Sequence, residues 1–285
     1  RFCAVGRGNQ PLLAKGRDMK FTGLKEKFLQ AWDWLAPPLI LFCVVIFSWH
    51  FATVLLKIPK YLVPSPLSVA QTMYERGGDL GHALRLTGTA ALLGFLCSLA
   101  VGFVVALAFS QSALIRRSCY PYAIFLQTVP IVAIAPLIIT WFGYGFHSVV
   151  IVSFMISLFP IITNTSTGLL AVDPRFLELF AIYRATRWQI LWKLRVPNCV
   201  PFLIAGAKTS SGLSVIGAIV GEFFVGVSSD WRGLGHYISD ASGNLNTTLL
   251  FAAVLNCTLL GLSVFVLVNV AGYVVLRRWN NPGRG

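Results

Sequence analysis

Charge is what this sequence has least of. Of its 285 residues, 12% are charged and only 10 are Asp or Glu. An ordinary soluble domain carries about 25% charged residues, so a normal water-facing surface is excluded. Disorder is excluded too, because 56% of the residues are hydrophobic and the mean hydropathy is +0.74. The six cysteines, Cys3, Cys43, Cys97, Cys119, Cys199 and Cys257, contain no CxxC pair. The four histidines, His50, His82, His147 and His236, are scattered, so no metal-ligand spacing arises. Gly206-Ala207-Lys208-Thr209 comes nearest to a phosphate loop, but it lacks the second glycine and sits inside an apolar run. No segment between apolar runs is long enough for a nucleotide-binding domain. No catalytic constellation, metal site or cofactor is expected, and the chain reads as a non-catalytic membrane protein.

Long charge-free runs are what the sequence does have. Trp34 to Leu56 and Leu86 to Leu114 contain no Asp, Glu, Lys or Arg, and 55 residues between Arg117 and Asp173 contain none either. A helix crosses the ~30 Å hydrocarbon layer in about 20 residues, so the 55-residue run holds two spans. They part at the glycine-rich stretch Phe142 to His147. A fifth span is expected from about Val200 to Val220, interrupted by Lys208, and a sixth from about Thr248 to Leu276. The fold class is therefore all-α, with six transmembrane helices in a lipid bilayer. Residues 1–33 form a basic cytoplasmic tail, of which 1–18 precede the first Met and read as either an upstream extension or a start-site artefact. Residues 34–285 form the membrane domain, with a core at about 80–279.

The net charge of +13 is explained by topology. Seventeen of the 23 basic residues fall on the side that holds both termini, Arg116, Arg117 and the stretch Arg175 to Arg195. Five, among them Arg76, Arg85 and Arg232, fall on the other. The positive-inside rule makes the first side cytoplasmic, in an inner (plasma) membrane, and removes the need for a nucleic-acid partner. Local signals refine the picture. Ser65-Pro66 sets up an N-cap and first-turn proline for a short outer helix to Arg76. Pro130, Pro136 and Pro160 fall within spans, where prolines kink helices. Gly217 and Gly221, four apart, allow close helix approach, either within the chain or between copies.

One cytoplasmic segment is too apolar for a mere connector. Ala171 to Pro197 reads AVDPRFLELFAIYRATRWQILWKLRVP. Asp173 with Pro174 starts one helix. Thr186-Arg187-Trp188-Gln189 is a capping box that starts another. Two short amphipathic helices in tandem, with a break near Arg184-Ala185, are expected. They would either lie on the headgroups or dock a cytoplasmic partner.

This segment resembles the EAA loop of ATP-binding-cassette importer permeases. In that family a glutamate followed by small residues leads to a glycine and then a basic, aromatic helix ending in Leu/Val-Pro. Glu178, Ala185, Arg187, Trp188, Gln189 and Pro197 match. Gln127 to Leu137 with Trp141-Phe142-Gly143 resembles the third span of the nitrate/sulfonate/taurine/bicarbonate group. Gly221-Glu222-Phe223 with Gly233-Leu234-Gly235 resembles its fifth span and outer loop, and Leu62 to Ser65-Pro66 its segment after the first span. The resemblance runs from about Tyr61 to Trp279. The family's glycine is Arg184 here, and its small residues are Leu179 and Phe180.

The resemblance implies the type I ABC importer permease fold and several partners. These are a second permease subunit (a homodimer or a related chain), two cytoplasmic ATPases that hydrolyse the ATP, and an extracytoplasmic solute-binding protein. It implies an ATPase-coupling loop through Asp173, Glu178, Phe180, Arg184, Ala185, Thr186, Arg187, Trp188, Gln189 and Pro197. The solute would be nitrate, a sulfonate, taurine, bicarbonate or a vitamin precursor. Gln127, Thr128, Asn164, Ser210, Ser211 and Ser214 are polar positions that either line its path or pack helices. A secondary transporter or channel of six helices is the alternative, with Lys208 and Glu222 as ion-coupling candidates.

Overall fold

A computed structural model describes residues 19–59, 61–225 and 231–279, and all regular structure among them is helical. Residues 1–18, and with them the expected extension, lie outside the described residues. The chain divides into two compact units, Arg1–Ile58 and Pro59–Gly285. The first contains α1 (Met19–Leu55), whose Ala36–Leu55 portion is apolar enough to cross a membrane. The expected tail up to Asp33 is thus helical from Met19 onward.

The second unit begins with α2 (Pro66–Glu75), where Ser65 caps the helix by accepting from the Ser68 N–H at 3.3 Å and Pro66 takes the first position. The long helices are α3 (Gly77–Gln111), α6 (Phe146–Leu170) and α11 (Thr247–Trp279). A further run from Arg187 to Val225 comprises α8 (Arg187–Ile190), a π-turn (Leu191–Arg195) and α9 (Val196–Val225). Between them lie α4 (Ala113–Thr128), α5 (Ile131–Phe142), α7 (Pro174–Ile182) and α10 (Leu234–Gly243).

Two expectations about the spans need correction. The third span is not one helix: α4 stops at Thr128 and α5 restarts at Ile131. Pro130 has no N–H and forces the residue before it out of the helical region, and Val129 accordingly sits at φ −72°, ψ 125°. The described residues therefore hold five helices long and apolar enough to span, plus the shorter apolar α5. The fifth span does not begin at Val200, because the second loop helix runs straight into it from Arg187. The π-turn lies just ahead of Pro197, with the Val196 N–H donating to the Leu191 carbonyl five residues back. That widened turn accommodates a ring that would clash with a regular helix.

Small residues set the core of the second unit. Helix α6 packs against both α3 and α9. A Cβ on Gly102 would lie 2.7 Å from the Ile161 side chain, and one on Gly217 would lie 2.7 Å from the Ser153 Cα. Gly94 meets Ser153 in the same way, and Gly221 meets Val149. Contacts on α3 and α6 rise in step along the chain, so those helices are parallel; α9 runs opposite to α6. The pair Gly217 and Gly221 therefore serves packing within the chain. Such close approach replaces the hydrophobic effect, which is missing between helices in lipid. The Ser153 hydroxyl donates to the Ser214 carbonyl at 2.8 Å and Ser210 to the Ser157 carbonyl at 2.6 Å, adding hydrogen bonds across the seam.

Candidate functional site

The apolar loop after α6 folds from its own capping signals. The Asp173 carboxylate accepts from the Arg175 N–H at 2.9 Å and starts α7. The capping box at Thr186 is complete: its hydroxyl accepts from the Gln189 N–H, and its own N–H donates to Gln189 Oε1 at 2.8 Å. Between the helices, α7 closes in a Schellman turn. The Ala185 N–H donates to the Phe180 carbonyl and the Arg184 N–H to the Ala181 carbonyl, both at 2.9 Å. Arg184 occupies the left-handed position at φ 50°. The break thus falls where the sequence places it, on a residue that carries a Cβ.

The outward face of this hairpin is aromatic and basic. Phe176, Ile182, Tyr183 and Trp188 are exposed, the last three at 77%, 78% and 68%. Glu178, Arg184 and Arg187 are exposed as well, while Phe180 and Ala185 are half-buried. Its base is rigid. Leu191 is 2% exposed and packs with Ala106, Leu169 and Cys199. The Arg195 guanidinium donates to the Ser110 carbonyl at the end of α3. The Asn198 amide donates to the carbonyls of Gly168 and Ala171 at 2.9 and 3.1 Å. Pro197 follows the π-turn, so the hairpin is welded to the ends of α3, α6 and α9 rather than tethered by a loose linker. The anchors Arg195 and Asn198 went unnoticed in the sequence, because nothing local marks a side chain whose partner lies on another helix.

The far end of the same helices holds a buried carboxylate. Glu222 is fully buried. It accepts from the Thr87 hydroxyl and from the Gly235 N–H, both at 2.9 Å, and from the Trp231 indole at 3.4 Å. Thr87 in turn accepts from the Leu234 N–H at 2.9 Å. One carboxyl group therefore ties α3, α9 and α10 together, with its buried polar atoms hydrogen-bonded as burial demands. Cβ atoms at Gly233 and Gly235 would fall on Glu222, which explains the glycines of Gly233-Leu234-Gly235. Helix α10 was not expected from the sequence. On it, Tyr237 is pushed above the usual phenol range by burial and by the nearby Asp79 carboxylate.

The six polar positions in the spans part company. Ser210, Ser211 and Ser214 are buried, with Ser211 and Ser214 donating to carbonyls of their own helix. Asn164 donates to the Pro160 carbonyl at 2.8 Å and faces Gly206 of α9. Gln127 and Thr128 instead line a partly open cavity of about 430 Å³ at the α4–α5 break. Lys208 reaches towards Gly272 of α11. Among the described residues, no group of three His, Cys, Asp or Glu is placed to hold a metal ion.

Residues 98–281 match the model of the family described as binding-protein-dependent transport system inner membrane component. The chain is similar to the riboflavin transport system permease protein RibX of Chloroflexus aurantiacus, with 32% identity over 89% of this chain and 94% of that one. It is similar to the formylaminopyrimidine transport permease protein ThiX of Halalkalibacterium halodurans, with 30% identity over 84% and 94%. It is also similar to a putative aliphatic sulfonates transport permease protein SsuC of Bacillus subtilis, with 27% identity over 87% and 88%. Among solved structures, an inward-facing MetNI methionine ABC transporter superposes with a TM-score of 0.58 over 70% of this chain and 95% of that one, at 17% identity. At that identity the likeness is one of fold.

Proposed function

The chain belongs to the binding-protein-dependent transport system inner membrane component family, and from that premise we propose that it couples solute passage to ATP hydrolysis carried out by two separate cytoplasmic ATPase subunits. It is an ABC importer permease subunit for a small solute, multi-pass in the inner membrane. In this reading two permease subunits enclose the path, an extracytoplasmic binding protein delivers the solute, and this chain hydrolyses nothing. The solute belongs to the range its relatives are named for, from vitamins and their precursors to sulfonates, taurine and nitrate.

The observation that carries the reading is the hairpin of α7 and α8. It presents Ile182, Tyr183 and Trp188 outward at more than two-thirds exposure, a cost no isolated soluble loop would bear unless a partner or a membrane covered them. Its rigid base matters equally. With Arg195 on Ser110 and Asn198 on the end of α6, a push on the hairpin moves whole helices and is not absorbed by a linker. The basic residues Arg175, Arg184, Arg187, Lys193 and Arg195 favour the cytoplasmic side. Glu178, on the exposed face, is the one acidic residue of the segment after Asp173.

Glu178→Lys together with Trp188→Ala tests this. The doubly substituted chain is expected to insert in the membrane at normal levels, to lose co-purification with the ATPase, and to lose solute uptake. Uptake at the original rate would remove the hairpin from the coupling path.

A further inference from the structure

The α4–α5 break deserves a functional reading of its own. Irregular backbone at membrane depth is tolerated where it is buried in protein or lines a water-filled cavity. Here it lines a partly open cavity. The cavity of about 430 Å³ is bounded by Gln127 to Ile131 and Ile134 on the break side, by Met155, Phe159 and Ile162 of α6, and by Leu213 of α9. Its volume lies in the range of sites for drug-sized ligands, about 300–1,000 Å³, and is several times that of a nitrate or bicarbonate ion.

The chemistry of the lining is uneven. Its walls are branched aliphatic, with one aromatic ring, Phe159. Its polar groups are confined to the break. The Gln127 amide and the Val129 N–H make no hydrogen bond within the described residues, and no backbone N–H donates to the Gln127 and Thr128 carbonyls across the gap to α5. The Thr128 hydroxyl donates to the Phe125 carbonyl at 2.8 Å and keeps its lone pairs free. The edge therefore offers donors and acceptors side by side. No charged residue lines the cavity, and Lys208, the one cation in the middle of α9, turns away to α11.

A small anion suits such a place badly. It would give up part of its hydration against apolar walls with no counter-charge to replace it, and would face two unpaired carbonyl oxygens. A flat, uncharged ring with both ring-nitrogen or carbonyl acceptors and N–H donors along one edge suits it well. Its faces would lie against Phe159 and the aliphatic walls while its edge satisfied the break.

We propose that this cavity is the solute subsite of the permease, and that it takes neutral heteroaromatic solutes of the pyrimidine or fused-ring kind in preference to inorganic anions or sulfonates. The inference rests on the importer reading above and narrows its solute class.

The test is probe protection in the assembled permease–ATPase complex in lipid nanodiscs. Thr128→Cys is introduced after Cys3 and the exposed Cys43, Cys97 and Cys119 are replaced by serine. Maleimide labelling of position 128 is then timed with riboflavin, a 4-aminopyrimidine, taurine or nitrate present. The expected result is labelling slowed by a heteroaromatic probe, about tenfold at ten times its half-protecting concentration, with no effect of taurine or nitrate. Ile134→Trp, which fills the cavity, is expected to abolish the protection. Protection by taurine or nitrate alone would assign the cavity to anions and overturn the proposal. Absence of protection by any probe, in a complex whose ATP hydrolysis still responds to its binding protein, would overturn the subsite and leave the importer reading intact. A position 128 closed to the reagent with or without probe would mean that lipid or a second copy covers the cavity, which also overturns it. A complex that never assembles with an ATPase would sink the importer reading instead.

Discussion

Replacing Arg184 by glycine is expected to leave function intact and to tighten the hairpin. Arg184 holds φ at 50°, where its Cβ crowds the following carbonyl at a cost of about 1–2 kcal/mol. Glycine has no such penalty but gives up about 0.5–1 kcal/mol more chain entropy on folding. The net gain is about 0.5–1 kcal/mol, or roughly two- to fivefold in the local closing equilibrium. The side chain itself makes no hydrogen bond or ion pair among the described residues and is exposed, so removing it breaks nothing within the chain. Amide hydrogen exchange of Ala185 reads the effect, because its N–H closes the Schellman turn onto the Phe180 carbonyl. Its exchange should slow by that factor in Arg184→Gly and stay unchanged in Arg184→Ala, which keeps the Cβ and loses the guanidinium. Solute-stimulated ATP hydrolysis in reconstituted membranes should be unaffected in both. If both variants lose coupling while expression and thermal stability hold, the guanidinium is itself a docking contact and the strain argument is refuted.

Gly217→Leu should cost about 1–3 kcal/mol through overpacking, since its Cβ would lie 2.7 Å from the Ser153 Cα, whereas Gly212→Leu, with nothing within 4 Å, should be neutral; melting of the purified protein compares them, and equal melting points would refute the seam. Glu222→Ala should destabilise by about 1–3 kcal/mol, the cost of orphaning the buried Gly235 N–H. Gly233→Ala should be severe alone and milder on the Glu222→Ala background, because its Cβ collides with the carboxylate that the second change removes; simple additivity in a thermal-denaturation cycle would argue against a shared site. Cysteines introduced at Arg187 and Arg232 should label from opposite sides of the membrane, position 187 from the cytoplasm. Labelling of 187 from outside intact cells would invert the orientation derived from the basic residues.

Much was determined by the sequence alone. Length and charge-free runs locate the membrane helices, because a hydrocarbon layer admits no unpaired backbone and few charges, and this demand is written residue by residue. The same holds for the caps: Ser65, Asp173 and the box from Thr186 to Gln189 act within four residues of chain, so they read correctly in isolation. The break near Arg184-Ala185 likewise followed from the capping signals on either side of it, whereas the left-handed φ of 50° at Arg184 came from the structure. The tertiary structure decided what depends on distant partners. Pro130 could have kinked a span or split it, and the structure splits it, with Val129 extended at φ −72°, ψ 125°. Pro197 could have started a new helix, but the π-turn held by Leu191 and Arg195 carries the chain straight through. The serines of α9 read equally as path or seam until α6 lay against them at glycine distance. Glu222 stood in a recognisable stretch, yet its role as the knot between α3, α9 and α10 needs Thr87, 135 residues away, and no local pattern can announce a hydrogen bond across that separation.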